Sequence, residues 1–114
     1  MGVDEELVSG HVQEIRRGTV VLACLSVLEE PHYGYALLDI LGRAGFEVDA
    51  NTLYPLLRRL DKQGLLAAEW NTDESRPRKY YALSPAGRQL RDELAREWAE
   101  LDGNIRHVLR GGER

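Results

Sequence analysis

The chain has 114 residues, 43% of them hydrophobic and 30% charged, with a formal net charge of −4. That length suits one domain with a modest core. The longest apolar run, Val20 to Leu25, is broken by Ser26 and ends at Glu29-Glu30-Pro31, too short for a membrane span.

The opening Met1-Gly2-Val3-Asp4-Glu5-Glu6 is acidic and unlike a secretory signal. A myristoylation motif would need Ser or Thr where Glu6 stands. A cytoplasmic location is therefore expected. Cys24 is the single cysteine, so an intramolecular disulfide is excluded. Within VVLACL, with no basic residue close by, it reads as a small buried hydrophobe and not as a redox group.

Residues 12–29, VQEIRRGTVVLACLSVLE, predict a helix that is apolar nearly all round in its second half, and so central to the core. The segment PHYG then reads as a turn, punctuated by Pro31 and Gly34. A second helix is expected from about Tyr35 to Arg43, stopped near Gly42 and Gly45. The short link FEVDA leads to a third helix over residues 51–64. Its Leu53, Leu56, Leu57 and Leu60 follow the i, i+3, i+4, i+7 pattern of one buried stripe, and Gly64 ends it. Three helices joined this way make a helix-turn-helix.

The period then changes. Residues 67–72 and 78–83 read as two strands around the polar, proline-containing loop DESRP, a β-hairpin. Tyr81 and Leu83 are expected to point inward, and Arg78 and Tyr80 outward. Ser84 is a good N-cap and Pro85 suits the first position of a last helix. Along that helix Leu94, Trp98, Leu101, Ile105 and Val108 form a heptad-like seam that cannot stay in water, so the helix either folds back on its own domain or pairs with another chain. The expected fold class is mainly α with a small β-hairpin (α+β). It is a winged helix-turn-helix over residues 1–84, a C-terminal dimerisation helix over 85–110 and a frayed tail at 111–114.

The average charge conceals a local reversal. Residues 51–80 carry six Lys or Arg against four Asp or Glu, while the remainder carries nine against fifteen. On the third helix Asn51, Tyr54, Pro55, Arg58 and Lys62 lie opposite the leucines, with Arg59 on the flank and Asp61 the one acid. With Asn51 or Thr52 as N-cap, Pro55 would fall at the fourth or third helical position, where a missing N–H costs little. Such a helix suits a DNA major groove: Arg can read guanine edges, and a helix N-terminus favours phosphate. In the hairpin, Arg76, Arg78 and Lys79 suit the backbone or the minor groove. The candidate DNA-binding residues are therefore Asn51, Thr52, Tyr54, Arg58, Arg59, Lys62, Arg76, Arg78 and Lys79.

Catalysis is not expected. His11, His32 and His107 lie far apart without ligand partners at helical spacing, and no glycine-rich phosphate loop is present. No cofactor or metal is expected. The rival reading is a winged helix that binds another protein, which the net charge of −4 and the acids Glu69, Asp73 and Glu74 keep open.

The stretches HYGYALLDIL, NTLYPLLRRLDKQGLL, RPRKYYALSPAGRQL and REWAEL, in this order, resemble the PadR family of bacterial transcriptional regulators over about residues 15–105. The single final helix is similar to the family's small subfamily. The resemblance implies a homodimeric winged-helix repressor on inverted-repeat operator DNA. The last helix and the N-terminal helix would form the dimer interface, and many members are released by small aromatic molecules. It also implies DNA contact at Tyr54, Arg58, Arg78 and Lys79. Trp98 falls where a multidrug-binding subset has a tryptophan that stacks flat aromatics. Filling the heptad seam remains the alternative role for Trp98.

Overall fold

The computed structural model describes residues 2–73, 75 and 77–111. Helix α1 spans Glu5–Val27, opened by Asp4, whose carboxylate accepts from the Glu6 amide at 3.0 Å. It starts well before the expected residue 12, because its first turns carry a good cap and two acids that suit the helix dipole, not a burial pattern. Its C-terminal half is buried through Cys24 and Leu25. Burial pushes the Cys24 thiol up to about 12, as befits a packed hydrophobe.

The segment read as a turn contains a short strand, β1, at His32–Tyr33. Helix α2 follows over Gly34–Arg43 and α3 over Ala50–Lys62. Strands β2, Leu66–Asn71, and β3, Arg78–Leu83, form the hairpin, hereafter the wing. The sheet therefore has three strands in the order β1-β3-β2, all antiparallel, with His32 opposite Tyr81 and Leu66 opposite Leu83. Helix α4 closes the chain over Pro85–Leu109. The α+β winged helix-turn-helix is thus present, with one more strand than expected.

The cap of α3 differs from the expectation. Asp49 is the N-cap, and its side chain accepts from the Thr52 amide at 2.9 Å. Asn51 and Thr52 lie inside the first turn. Pro55 therefore sits at the sixth helical position, in the second turn. There its missing N–H removes one internal bond, to the carbonyl of Asn51. Asn51 is exposed, so that carbonyl can be solvated.

The core gathers Cys24, Leu25 and Leu28 from the end of α1, Leu37 and Leu41 from α2, and Leu53, Leu56, Leu57 and Leu60 from α3. Leu66, Tyr81 and Leu83 of the sheet cover it. All four leucines of the α3 stripe are buried, and each contributes roughly 1.5–3 kcal/mol by burial. The Ser84 hydroxyl caps α4 by accepting from the Gly87 amide, and it donates to the Gly64 carbonyl at 2.6 Å. Gly87 lets this turn lie on the start of β2: a Cβ there would stand 2.0 Å from the Leu65 carbonyl oxygen. Beyond that junction α4 runs back along α1. Glu29 holds Arg88 at 2.8 Å and also pairs with Arg91. Hydrogen bonds from Arg88 and Arg91 hold the Glu29 carboxyl below the usual range.

The molecule measures 59 × 33 × 22 Å. Among the described residues no helix is long and apolar enough to cross a membrane.

Candidate nucleic-acid interface

The outer face of α3 carries Asn51, Thr52, Arg58, Arg59 and Lys62, all exposed. Tyr54 is half-buried instead, because α2 and α3 meet at its ring. A Cβ on Gly34 would lie 2.4 Å from Tyr54 Cε1, so glycine is required there for the two helices to approach.

Strand β3 alternates as expected. Tyr81 and Leu83 are buried, while Arg78 and Tyr80 lie on the opposite face. The same alternation separates Arg78 from Lys79. Lys79 shares the inner face with Tyr81 and turns toward α3. Its Nζ lies 3.9 Å from Asp61 Oδ2, 5.7 Å from the centre of the Tyr81 ring and 5.8 Å from that of Trp70. Arg58, Arg59, Asp61, Lys62 and Lys79 line one open pocket of about 510 Å³. Four cations and one acid thus converge between the helix and the wing, in a chain that is acidic overall.

Arg78 lies elsewhere. Its guanidinium sits 5.1 Å over the Tyr35 ring, and Nη1 donates to the Tyr35 hydroxyl at 2.9 Å. Arg76 lies outside the described residues. Trp70, 63% exposed beside Lys79, is an interface candidate that sequence reasoning missed. Its place opposite Lys79 in the hairpin was the available signal.

At the other end of the molecule, Leu94 packs against its own domain's core. The bare stripe of α4 begins at Trp98, 49% exposed, and continues through Leu101, Ile105 and Val108. The first half of α1 is bare as well, at Leu7, Val8, Val12 and Ile15. Trp98 lines a groove of about 600 Å³ with Ile15, Thr19, Leu22, Ala23 and Phe46. Arg16 closes one side of it by donating to the Gly45 carbonyl at 3.0 Å. Among the described residues no cluster of three His, Cys, Asp or Glu side chains could hold a metal.

Known proteins share this fold. The chain is 37% identical to Transcriptional regulator Rv3488 of Mycobacterium tuberculosis over 101 residues, which is 88% of this chain and 92% of that protein. A crystal structure of a PadR family transcriptional regulator from Eggerthella lenta superposes with a TM-score of 0.88 at 47% identity, covering 92% of this chain and 94% of that one. A PadR-like transcription factor from Bacteroides fragilis gives 0.74 at 34% identity, covering 87% and 98%. Residues 21–93 match the transcriptional regulator PadR-like family itself. That span runs from the buried half of α1 through the wing into α4, and the chain belongs to the PadR-like family of transcriptional regulators.

Proposed function

We propose that this regulator represses transcription by binding an inverted-repeat operator as a homodimer. Helix α3 would enter the major groove, while the wing rests on the flanking backbone. The observation that carries this reading is the convergence of Arg58, Arg59, Lys62 and Lys79 on one open pocket between the two elements. Phosphate attraction supplies most of the affinity of such a surface. Arg58, on the exposed face of α3, is the side chain assigned to base edges. Asn51 and Thr52 stand in the first turn, where the helix dipole favours phosphate. Arg76 and Arg78 are assigned to the backbone beside the wing, and Tyr54 braces α3 from its inner edge.

The bare apolar residues of α1 and α4 support self-association, since a stripe from Trp98 to Val108 is costly in water. A small flat aromatic effector would enter at Trp98. The groove there is apolar and bordered by the same two helices.

Fluorescence anisotropy with duplexes tiling the DNA upstream of the chain's own gene, at two salt concentrations, tests the proposal. Binding to one palindromic segment, two chains per site and weaker at higher salt, is the expected result. Equal affinity for a scrambled duplex at low salt would overturn specific recognition and favour a protein partner.

A further inference from the structure

The motif HYGY has a role that the fold alone does not use up. Strand β1 supports the wing only as far as Tyr80, because its two residues pair with Tyr81 and Tyr80. Beyond it stands the pair of Trp70 with Lys79 and then, overhanging furthest, the pair of Asn71 with Arg78. Two tyrosines grip this overhanging pair, one on each strand. The Asn71 side-chain amide donates to the Tyr33 hydroxyl at 2.5 Å. Arg78 donates to the Tyr35 hydroxyl at 2.9 Å and lies over the Tyr35 ring. The two rings stack on each other with centroids 5.6 Å apart and planes within 7°, and Tyr80 tilts against Tyr33 at 5.0 Å. The Asn71 side-chain oxygen Oδ1 also accepts from the Asp73 amide at 3.0 Å, so the start of the hairpin loop is tied to the same group.

We infer that Tyr33 and Tyr35 are positioning residues for DNA recognition: they clamp the wing to the start of α2 and set its distance from α3. The inference rests on the DNA-binding reading above. A two-stranded hairpin is marginal on its own, and its tip would otherwise sample many directions. Holding it at one angle removes an ordering cost from binding. The clamp lies on the face of the wing opposite Lys79, so it acts without standing in the basic pocket. It also explains why Arg78 and Lys79, neighbours in sequence, diverge: Lys79 completes the cationic pocket, while Arg78 is braced by Tyr35 on the opposite face of the wing, where it is assigned to the DNA backbone.

The test compares wild type, Tyr33→Phe, Tyr35→Phe, Asn71→Ala and Tyr33→Phe with Asn71→Ala, on the operator duplex and on a scrambled duplex. The phenylalanines keep the stacked rings and every charge while removing the hydroxyl acceptors. Each single phenylalanine variant should bind the operator about three- to tenfold more weakly, the effect of one lost hydrogen bond. Affinity for the scrambled duplex and the slope of log affinity against log salt should not change, since no cation is lost. Asn71→Ala should cost less in the Tyr33→Phe background than in wild type, because the Tyr33 bond is already gone and only the Asp73 amide's bond to the Asn71 side chain remains to be lost. Operator affinity equal to wild type in both single phenylalanine variants would overturn the clamp. So would an equal loss on the scrambled duplex, which would make the hydroxyls direct phosphate contacts. Wild type that itself shows no preference for any duplex would overturn the DNA reading first, and the inference with it.

Discussion

The two ends of the molecule expose opposite chemistry. At the winged end, polar side chains are held by partners: Lys79 by Asp61, Arg78 by Tyr35, Asn71 by Tyr33. At the far end, the bare halves of α1 and α4 expose Leu7, Ile15, Leu101 and Val108. A surface built for a polyanion benefits from preorganised charges, since each ordered side chain costs less at the moment of binding. An apolar stripe needs only area and a matching shape. Between the ends lies a junction held by Glu29, Ser84 and Gly87.

The largest effect should come from breaking the far end. Leu101→Glu introduces a charge into the stripe and should yield monomers, seen by analytical ultracentrifugation. Operator affinity should fall about a hundredfold or more, as the second half-site loses its tethered partner. A variant that stays dimeric would move the interface elsewhere. At the winged end, Arg58→Ala should weaken operator binding by about 1–3 kcal/mol and relax discrimination at one base pair. Lys79→Ala should weaken all duplexes alike and lower the salt slope by about one. Anisotropy titrations at several salt concentrations separate the two behaviours.

The junction tests whether the ends depend on each other. Gly87→Ala forces a methyl group onto the Leu65 carbonyl and should cost roughly 1–3 kcal/mol of stability in urea unfolding. Glu29→Gln should have the smallest effect. The folded Glu29 carboxyl titrates below its ordinary value of 4.5, so its contribution is complete above that value and is lost as pH falls through the lower folded value. The variant should therefore show a flatter acid limb in a plot of Tm against pH, and a Tm near neutrality lower by no more than a few degrees.

Much of this was legible in the sequence where one face of an element is buried. The leucine stripe of α3 and the inward Tyr81 and Leu83 follow directly from periods of 3.6 and 2. Strand β1 was not legible. Two residues carry no period, and their partner, the middle of β3, is remote in sequence. The expected α3 cap, Asn51 or Thr52, falls too late, because both are good capping types just beyond Asp49. Only the bond from the Thr52 amide decides for Asp49. The early start of α1 was hidden since its first turns bury nothing. Tyr54 looked like a solvent-facing aromatic on the helical wheel, yet Gly34 opens a space that draws its ring inward. The split between Arg78 and Lys79 follows from strand alternation alone, but their adjacency invites reading them as one basic strip.

The burial of Cys24 has a practical consequence for measuring the wing. The chain's one native thiol is fully enclosed and protonated at neutral pH, so it does not react with maleimide or methanethiosulfonate reagents in the folded protein. A Ser75→Cys variant would then carry a single labelling position, in the exposed loop of the hairpin. Paired spin labels at that position would report the span between the two wings of a dimer directly, free and on DNA, as a distance distribution whose width measures how firmly each wing is held.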